Sequence, residues 1–180
     1  MAGVYKFSGL FLLLLVLVSG CKTPVKDPDK YKLYKGPLIE NTNVLTLYSD
    51  SARLKVKLTA PVQQEFEGGN SVFPKGLFIS FYEPSGRVQT TLKANYGTYS
   101  KEKDNYFVRG DVVVENVSKK EKLNTEELYW DRQTQKVHTD KFVRIETADE
   151  ILTGHGLTAN QDFSRYRILK PSGVFSIKQQ

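Results

Sequence analysis

Tyr106-Phe107-Val108-Arg109-Gly110-Asp111-Val112-Val113-Val114-Glu115 decides the fold of this chain. Tyr106, Val108, Val112 and Val114 fall on alternate positions, with Gly110 keeping the backbone close between them. The intervening positions carry Arg109, Asp111 and Glu115. Side chains of an extended chain point to opposite faces in turn, so this spacing puts an apolar face against a core and a charged face in water. A helix needs apolar residues three and four apart and does not accommodate the pattern. The stretch therefore reads as half-buried antiparallel sheet.

The same period extends outward in both directions. It recurs in Leu54-Lys55-Val56-Lys57-Leu58, Leu77-Phe78-Ile79-Ser80-Phe81-Tyr82, Lys136-Val137-His138-Thr139, Phe142-Val143-Arg144-Ile145-Glu146 and Tyr166-Arg167-Ile168-Leu169. Turn residues separate the runs: Pro84-Ser85-Gly86, Lys103-Asp104-Asn105 and the polar Asp131 to Gln135. No segment from Ala52 onward holds a helical pattern for three turns. The expectation is an all-β domain of meandering or stacked hairpins, ordered from between Leu38 and Val44, with one longer loop from Gln63 to Lys75. Leu92-Lys93-Ala94 followed by Tyr99, Leu123-Asn124-Thr125 followed by Tyr129, and Leu152-Thr153-Gly154 followed by Ala159 form a degenerate repeat. Such spacing suits a sheet that grows by successive layers.

At the N-terminus Lys6 precedes the apolar run from Leu10 to Val18, which is shorter than the roughly 20 residues a helix needs to cross a membrane. Positive, apolar and small residues follow in the order of a secretory signal. Leu17-Val18-Ser19-Gly20-Cys21 resembles the lipobox of bacterial lipoproteins, whose cysteine becomes the acylated N-terminus. The expected organisation is a signal peptide over 1–20, a lipidated Cys21 with a polar tether over 21–37, and a β domain over 38–180. Two or three acyl chains make a stable membrane anchor.

Cys21 is the only cysteine, so the sequence offers neither an intramolecular disulfide nor a thiolate metal site. The net charge of +6 suits an anionic lipid surface. Its lysines and arginines are scattered and carry no recognition motif, so a nucleic-acid partner is not expected. His138 and His155 lack metal-ligand or catalytic spacing, and there is no nucleophile elbow or phosphate-binding glycine loop. Glu126, Glu127 and Asp131 read as turn or solvated-face residues. No enzyme activity, cofactor or metal is expected.

Several stretches together resemble the LptA/LptC/OstA-like β-jelly-roll family, and its LptC-like members in particular. They are Phe73-Pro74-Lys75-Gly76-Leu77, Leu92-Lys93-Ala94-Asn95-Tyr96-Gly97-Thr98-Tyr99, the stretch from Phe107 to Val114, Leu123 to Asp131, and Gly154-His155-Gly156-Leu157-Thr158-Ala159. The resemblance covers about Leu54 to Val174. It implies a folded-over antiparallel open β-jelly roll that shelters the acyl chains of lipopolysaccharide. It further implies receipt of that lipid from the membrane subunits of an ABC transporter and delivery to an LptA-like periplasmic protein by edge-to-edge sheet joining. The best-known LptC-like proteins carry a transmembrane helix, whereas this chain resembles a lipid-anchored one. Lys22 stands where aspartate marks inner-membrane retention in some bacteria. The expected location is the periplasm, anchored at the inner membrane.

On that reading the trough lining is Leu77, Ile79, Phe81, Tyr106, Val108, Val112, Val114, Leu128, Trp130, Val143 and Ile145. The docking edge is the last strand, with Tyr166, Ile168 and Val174. The alternative for the same residues is a closed sandwich core in a structural lipoprotein that binds other envelope proteins. An interior that stays open distinguishes the two.

Overall fold

A computed structural model describes residues 34–173; the signal segment, Cys21 and Val174 lie outside the described residues. The described chain forms one 11-stranded sheet. Its strands are β1 (Ile39–Asp50), β2 (Arg53–Glu65), β3 (Ser71–Phe73), β4 (Leu77–Tyr82), β5 (Val88–Ala94), β6 (Tyr96–Ser100), β7 (Asn105–Asn116), β8 (Glu121–Asp131), β9 (Lys136–Glu146), β10 (Ile151–Asn160) and β11 (Tyr166–Ser172). Every pairing is antiparallel. The all-β reading of the alternating stretches holds, as does the jelly roll that the family resemblance implies.

The sheet folds over because its long strands bend at their midpoints. β7 has an extra residue relative to β8 between Arg109 and Val112, and β9 one relative to β8 and β10 around Asp140 and Lys141. Such bulges bend a strand and increase its twist. Left-handed backbone at Asn43, Gly110, Asp111 and Gly156 marks the same crease. The short strands sort themselves to either side of it. β4 and β5 link β2 to β7 through Val56–Thr59 and Val113–Asn116. β3 and β6 link the other halves of the same two strands, through Gln64–Glu65 and Asn105–Arg109.

Two layers therefore share one crease. The chain crosses from β3 to β4 at Gly76, whose φ is 81°. A Cβ there would meet the Ala94 carbonyl and approach Asn95 Cα to 3.2 Å, so the crossing needs glycine. It crosses back at Asn95, whose backbone N–H donates to the Gly110 carbonyl at 2.9 Å and whose side-chain amide donates to Asp111 Oδ2 at 2.8 Å.

The degenerate repeat now has a structural meaning. Leu92 to Tyr99, Leu123 to Tyr129 and Leu152 to Ala159 each carry the chain from the first layer across the crease to the second. β7, β9 and β11 bring it back. One expectation is corrected. The segment from Gln63 to Lys75 is not one long loop, because β2 runs to Glu65 and β3 pairs with both β2 and β6, leaving residues 66–70, with a 3-10 turn at Glu67–Gly69, and 74–75 outside the strands. Ahead of the first alternating run lies β1, which pairs with β2 along its length.

The inner faces meet in a single apolar cluster that includes Ile79, Leu92, Val112, Leu128, Val143 and Leu157. Phe81 of the first layer meets Trp130 of the second edge-to-face, with ring centres 5.0 Å apart. This geometry is favourable beyond the area buried.

Candidate functional site

Opposite the crease, where the layer tips face each other, lies a cavity of about 640 Å³. Alternation in β1 and β2 turns Tyr48, Val56 and Leu58 toward it, and β4 contributes Phe81. From the second layer come Tyr106 and Trp130, beneath a rim formed by Arg132, Gln135 and the turn from Asn160 to Asp162. Tyr106 stacks on Trp130 at 5.1 Å and packs at a tilt against Tyr99 at 4.8 Å, so the cavity has an aromatic floor. Burial pushes the Tyr106 hydroxyl up to about 12, because phenolate is poorly solvated there.

The rim is polar and internally paired. Arg132 donates to Asp104 at 2.8 Å, and the Tyr99 hydroxyl donates to the same carboxylate oxygen at 2.9 Å. Burial, and then this hydrogen bond to a carboxylate, hold the Tyr99 hydroxyl above the ordinary tyrosine range. Lys55 and Lys136 share the rim with Asp50 and Asp162, which leaves it without a dominant charge. The arrangement suits an amphiphile with its apolar part between the layers and its polar part at the rim.

One side of the mouth is shut by the turn between β10 and β11. The Asp162 carbonyl accepts from Thr90 Oγ1 at 2.9 Å and from Asn116 Nδ2 at 3.1 Å, joining the second layer to the first. Trp130 Nε1 donates to Gln161 Oε1 at 3.0 Å, and the Gln161 backbone N–H donates to the Gln135 carbonyl at 2.9 Å. Lys119 Nζ donates to the Ser164 carbonyl at 2.8 Å. Phe163 points inward from this turn, 5% exposed and with φ 51°. Left-handed backbone at a bulky residue costs about 1–3 kcal/mol, which burial of a phenyl group, about 1.5–3 kcal/mol, offsets.

The structure divides the proposed trough lining. Phe81, Tyr106 and Trp130 border the cavity. Leu77, Ile79, Val108, Val112, Val114, Leu128, Val143 and Ile145 are buried in the packed core and do not border it. Sequence reading missed the contribution of β1 and β2, although the alternation of Val56 and Leu58 was a usable signal. It also missed Phe163, which no local pattern distinguishes from an exposed turn residue.

Among the described residues both ends of the sheet are open: β1 pairs only with β2 and β11 only with β10. Tyr166 and Ile168 are half-buried and pack against the core, so what β11 offers an incoming strand is its backbone. At the other end, Leu45 and Leu47 of β1 are exposed, 59% and 56%.

The remaining polar candidates have structural roles. Glu127 pairs with Lys141 at 3.3 Å, and Asp131 accepts from the Thr134 N–H in the β8–β9 turn. His138 lies exposed on the outer face, stacked on Tyr129 at 5.1 Å. His155 is exposed on β10, opposite the β9 bulge and beside Phe142. Among the described residues no group of three or more His, Cys, Asp or Glu is arranged to hold a metal ion. No helix among them is long and apolar enough to cross a membrane.

A family model described as "Lipopolysaccharide-assembly, LptC-related" matches residues 9–171. No curated protein matches the chain.

Proposed function

The chain belongs to the LptC family of lipopolysaccharide-transport proteins, and from that membership we propose that it is a non-catalytic bridge component. In this role it receives lipopolysaccharide from the membrane subunits of an ABC transporter and passes it to an LptA-like protein. One observation carries the reading: the mouth cavity lies between two layers whose inner faces are apolar, in a sheet whose two edges are unpaired among the described residues. Each methylene left in water costs roughly 0.8 kcal/mol, so acyl chains crossing an aqueous compartment need such a lining. Unpaired edges let a further sheet join and continue that lining. The acylated Cys21 supplies the anchor, at the inner membrane.

The packed state of Val112, Leu128 and Val143 favours a second reading, a structural lipoprotein whose closed β domain only binds other envelope proteins. Photocrosslinking in living cells separates the two. With the crosslinker at Phe81 or Val56, lipopolysaccharide adducts are expected; at Leu45 and Leu169, protein adducts. Protein adducts at the edges with no lipid adduct from either cavity position would establish the second reading instead.

A further inference from the structure

We infer that Phe163 occupies an acyl-chain subsite in the interior between the layers and sets how far a lipid tail penetrates, with Gln161 and Asp162 as the clasp that must open for that subsite to fill. The inference rests on the lipid-carrier reading and goes beyond it by dividing the interior into an open half and a gated half.

The division follows from where the turn sits. Gln161 and Asp162 wall the cavity on one side. Asn116, on β7, holds the Asp162 carbonyl, and Val114, two residues along the same inner face, is 1% exposed. Val114 pairs with Leu92 on one side and Leu123 on the other, both equally sequestered. A tail entering over Val56 and Phe81 therefore meets the clasp before it reaches Val114.

A turn normally presents its side chains to water. Here the chain instead adopts a left-handed conformation at Phe163 and directs a phenyl group into the core. The ring fills with the protein's own hydrocarbon a place that cargo hydrocarbon could take. The clasp is built for exchange. The bonds at Gln161 and Asp162 run from hydroxyl, amide and indole donors to neutral oxygens beside the cavity, so water can replace each of these when the turn swings out. A tail that enters as Phe163 leaves keeps the interior dry.

The test uses the full chain in cells, with a photocrosslinker at Val56 for the open half or at Val114 for the gated half. The native protein is expected to give lipopolysaccharide adducts mainly at Val56. Phe163→Ala is expected to raise adducts at Val114 several-fold and leave those at Val56 unchanged. A second variant, Thr90→Val with Asn116→Leu, removes both side-chain donors to the Asp162 carbonyl. It is expected to raise Val114 adducts as Phe163→Ala does. Adducts at Val56 with Val114 indifferent to both variants would overturn the gate while leaving the carrier reading intact. No adduct at either position would overturn both.

Discussion

The guanidinium of Arg132 lies over the ring of Tyr48, 5.1 Å from its centre, and this contact joins the two layers across the open half of the mouth. Arg132 belongs to the β8–β9 turn and is held from behind by Asp104. Tyr48 belongs to β1, which among the described residues has no neighbour beyond it. The contact therefore depends on an edge strand that a partner's sheet could engage.

Tyr48→Ala is expected to widen the mouth at little cost to the fold. An exposed cation–π contact contributes about 0.5–1 kcal/mol, so the melting temperature should fall by only a few degrees while lipid adducts from Phe81 increase. Arg132→Lys retains a charge for Asp104 but lacks the planar group that stacks, and should show the same gain in adducts. Unchanged adducts in both variants would show that this contact does not limit entry.

Tyr106 predicts an alkaline limit to stability. Its hydroxyl titrates at about 12 in the folded protein against about 10 in an unfolded chain. Between these values the unfolded state releases a proton that the folded state retains, so stability is complete below pH 10 and declines toward pH 12. The loss is about 2–3 kcal/mol for a shift of this size. Chemical denaturation across that interval should show a shallower decline for Tyr106→Phe than for the native chain.

Gly154 fixes the last strand. A Cβ at this position would lie 2.5 Å from the Lys170 carbonyl oxygen and 2.9 Å from Pro171 Cα, both backbone atoms that cannot rotate away. Gly154→Val is expected to detach the end of β11 and to destabilise the domain by about 1–3 kcal/mol. Hydrogen exchange should accelerate in β11 first, and protein adducts from Leu169 should fall while those from Leu45 persist.

Cys21 lies outside the described residues, and its acylation is tested chemically. Metabolic labelling with a clickable palmitate analogue should mark the native chain and not Cys21→Ala. The variant is expected to lose its place in the salt-washed membrane fraction. Labelling of both chains would place the modification elsewhere.

Residue order alone determined that the chain is a sheet, which positions face inward, and which family it belongs to. Tyr106, Val108, Val112 and Val114 could be assigned to one face because strand alternation is local and has a period of two. Beyond this, tertiary structure decided. β1 escaped notice because nearly all of it is exposed, Leu45 and Leu47 by more than half, so burial does not mark its alternation in the sequence. The division of one apolar face into a cavity floor at Phe81, Tyr106 and Trp130 and a packed core at Ile79, Val112 and Val143 was equally hidden. Alternation specifies the side a residue faces, but not what lies opposite. That depends on where β7 and β9 bulge and on a turn nearly fifty residues beyond Val114 that directs Phe163 inward.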